Sequence, residues 1–403
     1  MSDRSTVGVL AGQRPCGLQL AGPPPVRRAA GCGTARILLC SHDGYGLGHV
    51  RRNMLLADAV LAGGPPIDVT VMTGVAADLP WLRPTGVEVL RMPPMIKDAN
   101  GDYRSEGLSA EESVGVREQL FRQAVARLRP DVVVVDRHPF GIAGELRPGL
   151  ELAAAQGAAL VLGLRDVLDD PEVVREELRG PRWAGVGDLF TEVLVYGSRQ
   201  LVDHEREYGL PLAPTYCGWV TSPAQRRVRV DRSLAIAAGG GGDGEPVFRL
   251  GLELLRRRGG WSGVLAAGPY AGDVVSALSR ELGGRLNVAR NVDGCPELFS
   301  GAAAVIQMAG YNSTFEALAC GLRPVLVPRR SPRREQAIRA SRLAAWGLAD
   351  VVDEGASPDE VDWLLDQPRE LEPGQLRRAG VRLDGAPRVA QRLHTLAAAR
   401  RAA

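Results

Sequence analysis

The 403-residue chain lacks several features that would indicate a metal-binding, secreted or membrane-spanning protein. Its six cysteines are scattered, without a CxxC pair or the spacing of a zinc site, and several fall within apolar segments. This pattern is typical of reduced, buried thiols. No apolar run approaches the roughly 20 residues that a membrane-spanning helix needs. We therefore expect a cytoplasmic protein without a transmembrane segment.

An excess of charge of one sign is also missing. The 49 basic and 47 acidic residues leave a formal net charge of +2, so the chain as a whole is not attracted to nucleic acid. Arginine greatly outnumbers lysine, and guanidinium groups suit bidentate contacts with phosphate or carboxylate. We therefore expect no nucleic-acid partner, and arginine is the expected side chain wherever an anion binds.

The first 33 residues differ in composition from the rest of the chain. They mix Gly, Pro, Arg and Ala and contain no apolar h-region of the kind found in signal peptides. Such a composition predicts a disordered N-terminal tail at residues 1–33.

From residue 34 onward, apolar strands alternate with helices. The strands predicted in the first half are ARILLCSHD, IDVTVMTG, VEVLRMP, DVVVVD, ALVLGL and EVLVYGS. The charged stretch TYCGWVTSPAQRRVRVDRS interrupts this alternation, and a second series follows with LAIAA, SGVLAAGP, LNVARNV, AAAVIQM and PVLVP. Near-continuous Val, Ile and Leu strands separated by helices indicate parallel sheets covered on both faces.

This double series predicts an α/β protein of two Rossmann-like, doubly wound parallel-sheet domains that face each other across a cleft. We expect an N-terminal domain at 34–218, a C-terminal domain at 219–385 and a final helix at 386–403. Ligands of such sheets bind outside the carboxyl ends of the strands, so the loops at those ends are the candidate site.

The first candidate loop is SHDGYGLGHVRRN, where Gly46 and Gly48 let the backbone come close to a ligand. His49 follows at the expected start of a helix. A neutral imidazole there could take a proton from a hydroxyl, because its ordinary pKa of about 6.5 suits proton transfer near neutrality. The alternative is that His49 only caps the helix or packs on the loop. His42, before the glycines, is expected to have a supporting or structural role.

The second candidate loop is GGGGDG, which lies between the strand LAIAA and an amphipathic helix. Glycine loops at such a corner expose backbone N–H groups to phosphate. The run matches neither GxGxxG nor GxxxxGK[ST], and an ordinary flexible linker is the alternative. Phosphate contact through Gly240, Gly241 and Gly242 is the prediction.

The third candidate loop is MAGYNSTFEALACGLRPVLVP, where Ser313 or Thr314 is expected to cap a helix whose N-terminus would favour an anion. The stretch from Ser313 to Glu316 also fits an [ST]xxE capping box, in which Glu316 would only fold back on the helix start. The spacing alone does not choose between these two interpretations.

The same stretch, followed by Glu335 and Gln336, resembles the donor-binding signature of nucleotide-sugar glycosyltransferases with the GT-B fold. GLGHVRRN is similar to the glycine-rich first loop of the bacterial enzymes that include the peptidoglycan N-acetylglucosaminyltransferase, and a group of predicted bacterial glycosyltransferases is also similar. The resemblance runs from about residue 35 to the C-terminus, with its most specific motifs in 301–345.

The resemblance implies a role for each matching position. Gly310, Asn312, Ser313 and Thr314 would line the diphosphate pocket, and Glu316 would bind the ribose hydroxyls. Glu335 and Gln336 would contact the donor sugar, and Gly240 to Gly242 would approach the phosphates. His49 would face the acceptor, with Gly46, Gly48 and His138 on the acceptor side.

One position departs from the family pattern. Many relatives have a phosphate-binding histidine where this chain has Met308. An arginine such as Arg329, Arg330 or Arg333 would then have to supply the missing contact.

The implied activity is transfer of a hexosyl or N-acetylhexosaminyl group, with inversion, from a nucleotide-diphosphate sugar to an acceptor hydroxyl. The expected donor is a UDP-sugar as co-substrate, without a separate cofactor. No Asp-x-Asp pair of the metal-dependent transferases is present, so no metal is expected, and helix N-termini and arginines would stabilise the leaving group. His49 would be the base, oriented by Asp136. Asp136 could instead pair with Arg137.

Alternatives remain open from the sequence. A nucleotide-sugar 2-epimerase or hydrolase would use the same donor pocket, and a non-enzymatic nucleotide-sugar-binding module would not need His49. The acceptor is not specified, and a lipid-linked acceptor is one candidate. The C-terminal arginines and the segment MPPMI could contact a membrane surface peripherally, although a solvated face and ordinary packing explain them as well.

Overall fold

The computed structural model describes residues 34–42, 46–83, 85–97, 103–105, 107–224, 227–240, 242–269, 271, 275, 280 and 282–402. The tail predicted at 1–33 therefore lies outside the described residues. None of the helices in the described ranges has the length and apolarity needed to cross a membrane.

Seven parallel strands of the described chain form the first sheet, in the order β3-β2-β1-β6-β7-β8-β9. They are β1 Ala35–Ser41, β2 Ile67–Thr73, β3 Val87–Arg91, β6 Val132–Asp136, β7 Ala159–Arg165, β8 Glu192–Tyr196 and β9 Pro214–Tyr216. Between β3 and β6, a short antiparallel pair comprises β4 Ile96–Lys97 and β5 Tyr103–Arg104.

The second sheet, as far as the structure describes it, has six parallel strands in the order β12-β11-β10-β13-β14-β15. They are β10 Val230–Ala237, β11 Ser262–Ala267, β12 Leu286–Arg290, β13 Ala302–Gln307, β14 Val325–Leu326 and β15 Asp350–Val351. Two parallel-sheet domains were predicted, and this part of the prediction is confirmed.

Helices connect the strands. In the first half they are α1 Gly48–Ala62, α2 Ala110–Leu128, α3 Arg147–Ala155, α4 Pro171–Arg179, α5 Val186–Leu189 and α6 His204–Tyr208. In the second half they are α7 Glu245–Arg257, α8 Pro296–Ser300, α9 Tyr311–Ala319, α10 Glu335–Ala345, α11 Pro358–Leu365, α12 Gln375–Arg378 and α13 Gly385–Ala402. Three-residue 3₁₀ turns lie at Pro80–Leu82, Pro181–Trp183 and Gly283–Arg285.

The strands are apolar because helices cover both faces of each sheet. All five residues of β6 are buried, including its last residue, Asp136. The final helix α13 packs against α1 and β1 of the first sheet, where His394 Nε2 lies 3.0 Å from the carbonyl oxygen of Val60. The C-terminal end of the chain therefore returns to the first domain, while the domain limits at 218 and 385 stay predictions.

A buried ion pair joins the two halves of the chain. Arg339 of α10 donates from Nε to Asp166 Oδ2 at 2.9 Å and from Nη2 to Oδ1 at 2.6 Å. Trp219, in the segment between the sheets, donates to the same carboxylate at 3.1 Å. Burial by itself raises the pKa of Asp166, but Arg339 and these hydrogen bonds outweigh it and lower the pKa.

We expect Arg339→Met to lower the free energy of unfolding at pH 7 by about 3–5 kcal/mol, because it leaves Asp166 charged, buried and without its counter-charge. Urea denaturation measures the change. The matched control is Asp353→Asn, which breaks the exposed pair with Arg330 and should cost less than about 1 kcal/mol. Equal losses in the two variants would contradict the structural role given to Asp166.

Candidate functional site

A cavity of about 300 Å³ lies where the carboxyl ends of the two sheets meet. Its walls come from the loop and helix start after β1, the ends of β7, β10 and β11, and the first turns of α9 and α10. Among the described lining residues the charged side chains are five arginines and two glutamates, namely Arg51, Arg52, Arg165, Arg329, Arg339, Glu316 and Glu335. The walls of the cavity are therefore formed largely by backbone and apolar side chains, and its guanidinium groups outnumber its carboxylates.

Helix α9 points its first turn at this cavity. The helix begins at Tyr311 with Gly310 as its N-cap, and Gly310, Asn312 and Ser313 line the wall. The first N–H groups of a helix have no acceptor within it, so they are directed at whatever fills the cavity. The expectation that Ser313 or Thr314 caps the helix is wrong. Thr314 is fully buried instead.

Glu316 is not part of a capping box. Its Oε2 accepts a hydrogen bond from the backbone N–H of Cys295 at 3.0 Å, and its Oε1 accepts one from Arg51 Nη2 at 2.7 Å. The side chain is 1% exposed yet borders the cavity. The tertiary contacts of the carboxylate therefore remove the alternative in which it only folds back on the helix start.

Arg51 crosses from α1 of the first domain to the second. Besides Glu316, it contacts Asp293 and donates to Ser222 Oγ at 2.8 Å. Burial by itself lowers the pKa of Arg51, but Glu316 and Asp293 outweigh it and raise the pKa. In the structure, the carboxylate expected to bind ribose is thus paired with a guanidinium from the opposite domain.

Glu335 and Gln336 begin α10 and line the same cavity. Glu335 Oε1 accepts a hydrogen bond from Arg329 Nη2 at 3.1 Å, and Gln336 Oε1 accepts one from the backbone N–H of Arg329 at 3.2 Å. Burial alone would raise the pKa of Glu335, but Arg165 and Arg329 outweigh it and lower the pKa. Glu335 is therefore ionised at neutral pH, and Glu335 and Gln336 are both held against the cavity.

His49 lies at the opposite wall, in the first turn of α1. Its Nδ1 is 3.1 Å from Asp136 Oδ1 and 2.9 Å from Arg52 Nη2. Arg52 Nε donates to Asp136 Oδ2 at 3.0 Å, so one carboxylate oxygen is held by arginine and the other faces the imidazole. Burial raises the pKa of Asp136, but Arg52 and His49 outweigh it and lower the pKa.

The partnership of Asp136 with His49 stays a prediction: the two atoms are close enough for an ion pair, but among the described residues Asp136 Oδ1 has no hydrogen-bond partner, and His49 Nδ1 is hydrogen-bonded to Arg52. The alternative pairing of Asp136 with Arg137 does not occur. Arg137 instead pairs with Glu177. His138 is directed to the same acid, with its Nδ1 3.0 Å from Glu177 Oε1. The ring of His42 lies between the other two histidines, 5.3 Å from that of His49 and 5.1 Å from that of His138.

The predicted glycines divide into two groups. Gly46, Gly48, Gly240 and Gly310 line the cavity, whereas Gly242 is not among its lining residues and Gly241 lies outside the described residues. Three other predicted site residues, Thr314, Asp136 and His138, are likewise not among the residues that line the cavity. Met308 is buried in the core of the second domain, and Arg329 is the proposed substitute that lines the cavity.

Sequence reasoning missed four of the lining arginines, namely Arg51, Arg52, Arg165 and Arg339. Two of them carried a signal. Arg51 and Arg52 are the fourth and fifth residues of α1, and consecutive arginines near the N-terminus of a helix oppose its dipole, which indicates that acids elsewhere in the fold must compensate them. Trp81 and Leu79, which line the first-domain wall, carried no comparable signal. The described ranges contain no group of three or more His, Cys, Asp or Glu side chains placed to hold a metal ion.

No protein-family model and no curated protein matches this chain. Solved structures do match. Phytolacca americana UGT2, complexed with UDP-2fluoro-glucose and pterostilbene, has a TM-score of 0.60 at 12% identity, over 92% of this chain and 100% of that one. The glycosyltransferase SnogD from Streptomyces nogalater has 0.57 at 18%, over 90% and 100%. The UDP-GlcNAc 2-epimerase from Methanocaldococcus jannaschii has 0.55 at 11%, over 90% and 100%.

Identities this low show the fold, and the fold is GT-B. The two facing parallel-sheet domains expected from the sequence are therefore confirmed as a fold.

A pH titration tests the environment of His138. Burial lowers the pKa of His138 to about 4, with Glu177 opposing the shift. Unfolded His138 takes up its proton near pH 6.5 and folded His138 only near pH 4, so the fold loses stability as the pH falls through this window. Between pH 7 and pH 4, the free energy of unfolding should fall by about 3 kcal/mol less in His138→Asn than in the wild-type protein, as measured by urea denaturation at both pH values. An imidazole that titrates near pH 6.5 by NMR in the folded protein would contradict this assignment.

Proposed function

We propose that the protein is a glycosyltransferase that moves a sugar from a nucleotide-diphosphate sugar to an acceptor hydroxyl. The observation that carries this proposal is the convergence of two groups of side chains on one cavity. Glu316, Glu335, Gln336 and the N-terminus of α9 come from one domain, and His49 with Asp136 behind it comes from the other. In this proposal a donor site and a proton-accepting site face each other.

The donor would bind to the second domain. Glu316 offers acceptor oxygens to the ribose hydroxyls, and Glu335 and Gln336 offer the same to hydroxyls of the sugar. The N-terminus of α9 and Gly240 would direct backbone N–H groups at the diphosphate, with Arg329 in place of the histidine that Met308 replaces. We propose a UDP-sugar carrying a hexosyl or N-acetylhexosaminyl group, without a separate cofactor.

The chemistry would be a direct displacement with inversion at the anomeric carbon. For His49 to act as the base, its proton would have to lie on Nδ1 and be donated to Asp136 Oδ1, so that the Nε2 lone pair accepts the proton of the acceptor hydroxyl. Arg52 Nη2, itself a donor 2.9 Å from Nδ1, would then turn away from the imidazole and keep only its contact with Asp136 Oδ2. Arginines and helix N–H groups would stabilise the charge that develops on the leaving diphosphate, which is a role that other transferases give to a metal ion.

A nucleotide-sugar 2-epimerase or hydrolase is the second candidate, since one of the matching structures is a UDP-GlcNAc 2-epimerase. Incubation of the donor with the protein in the absence of acceptor separates the two. An epimerised sugar, or free sugar from hydrolysis, would favour the second candidate, whereas product formed only when a hydroxyl acceptor is added would favour the transferase.

Donor binding is tested by a thermal-shift screen with UDP-, GDP-, TDP- and ADP-sugars. A donor present at a hundred times its Kd should stabilise the fold by about 2.7 kcal/mol. Glu316→Gln should weaken binding of the best donor by about tenfold or more, because one acceptor oxygen for the ribose is lost. The melting temperature should fall less than in Arg339→Met, because Arg51 keeps its contact with Asp293. Glu297→Gln, an exposed acid, is the control. A large fall in melting temperature with donor affinity retained would assign Glu316 a structural role only.

Catalysis is tested by His49→Ala. Sugar transfer should fall by a factor of about 100 to 10,000, the usual range for loss of a positioned base, while donor affinity stays nearly unchanged because the nucleotide lies on the other domain. The control is His394→Ala, which removes a histidine between α13 and α1 outside the cavity lining. Transfer at the parental rate would exclude His49 as the base and leave His138 as the next residue to replace.

A further inference from the structure

The carboxylate of Glu335 lies between two guanidinium groups that come from opposite domains. Arg329, after β14, donates to Glu335 Oε1 at 3.1 Å, and Arg165 Nη2, at the end of β7, is 3.9 Å from the same oxygen. Glu335 Oε2 is buried and has no hydrogen-bond partner within the described part of the chain. A single carboxylate thus faces two guanidinium groups, with a hydrogen bond to Arg329 and only a long ion-pair contact to Arg165.

Arg165 is the less satisfied of the two. Its side chain is 15% exposed, and its Nε is buried without a hydrogen-bond partner among the described residues. Nη2 donates to the carbonyl oxygen of Leu168 at 3.3 Å. Burial lowers the pKa of Arg165 to about 10. Glu335 opposes this shift, and the nearby arginines Arg137, Arg339 and Arg333 add to it. The group is still cationic at neutral pH, and a buried cation with so few partners is costly unless an anion joins it.

The proposed donor brings an anion to this place. Arg329 already divides its hydrogen bonds between Asp243 and Glu335, and Met308 has no charge to offer. A diphosphate carries more charge than one shared arginine compensates. Arg165 lines the same cavity and approaches from the facing domain, and its ion pair in the described part of the chain is the long one with Glu335, at 3.9 Å.

We propose that Arg165 binds the diphosphate of the donor together with Arg329, and that Glu335 takes the place of this anion in the unliganded protein. The inference rests on the proposed function. When the diphosphate binds, Glu335 is released to accept hydrogen bonds from the sugar. As the bond from the anomeric carbon to the phosphate oxygen breaks, its electron pair stays on that oxygen beside the guanidinium groups. The acceptor oxygen forms the new bond, and its proton goes to His49.

The test compares a nucleoside diphosphate with its nucleoside. UDP and uridine are the first pair, and the GDP, TDP or ADP pair replaces it if the four-base screen gives a larger shift. Isothermal titration of Arg165→Met should show about 10- to 100-fold weaker binding of the diphosphate and unchanged binding of the nucleoside, because only a charged hydrogen bond to phosphate is lost. Arg330→Met removes an equal charge from an arginine that is 67% exposed, and both affinities should stay unchanged.

Three other outcomes would contradict the inference, contradict the proposed function, or call for a second variant. Unchanged diphosphate affinity in Arg165→Met, or equal losses for diphosphate and nucleoside, would overturn the inference while leaving the proposed function in place. Failure of the wild-type protein to bind any of the four nucleoside diphosphates would overturn the proposed function itself. If Arg165→Met does not fold, Arg165→Lys carries the test, since it keeps the charge but loses bidentate geometry and should weaken only the diphosphate.

Discussion

The arrangement of the site depends on one buried carboxylate, Asp166. It lies just beyond the end of β7 and receives two hydrogen bonds from Arg339 of α10 and one from Trp219 in the connecting segment. Arg339 also donates to the carbonyl oxygen of Ala309, immediately before α9. The same ion pair therefore sets the position of both helices whose first turns line the cavity, relative to the first sheet. Because both partners are almost fully buried, neither can move away without leaving a charge unpaired.

Ion pairs across the cleft determine how charge is distributed in the cavity. Arg51 and Arg165 of the first domain face Glu316 and Glu335 of the second, so in the unliganded protein the expected ligand-binding acids are held by guanidinium groups. Any ligand that enters must exchange these contacts for its own, and an anionic, hydroxyl-rich molecule could satisfy both kinds of group at once. The domains are thus joined through the groups that would bind the donor.

Local sequence pattern was a good guide where local energetics decide. Val132 to Val135 were assigned to a buried strand, and all four are buried. At Ser109 an [ST]xxE pattern does mark a helix start, since α2 runs from Ala110 to Leu128 and is capped by Ser109 and Glu112 in a capping box. The same [ST]xxE pattern at Ser313, which the spacing left open, is not a capping box, because the helix begins at Tyr311 with Gly310 as its N-cap and distant partners hold Glu316. The two stretches have the same spacing of hydrogen-bonding side chains, so the spacing alone could not show which one forms a capping box.

The sequence by itself determined the two series of parallel strands, the loops at their carboxyl ends, and the positions of His49 and Glu316 on them, because hydrophobic periodicity and glycine placement act over a few residues. Glu335 was indicated only by the resemblance to the donor-binding signature. Only the tertiary structure decided which charges meet. The contacts of Arg51 with Glu316 and of Arg165 with Glu335 join residues far apart in the chain. Such pairs leave no periodic trace, since their stability comes from burial and Coulomb attraction that exist only after both domains have folded and faced each other.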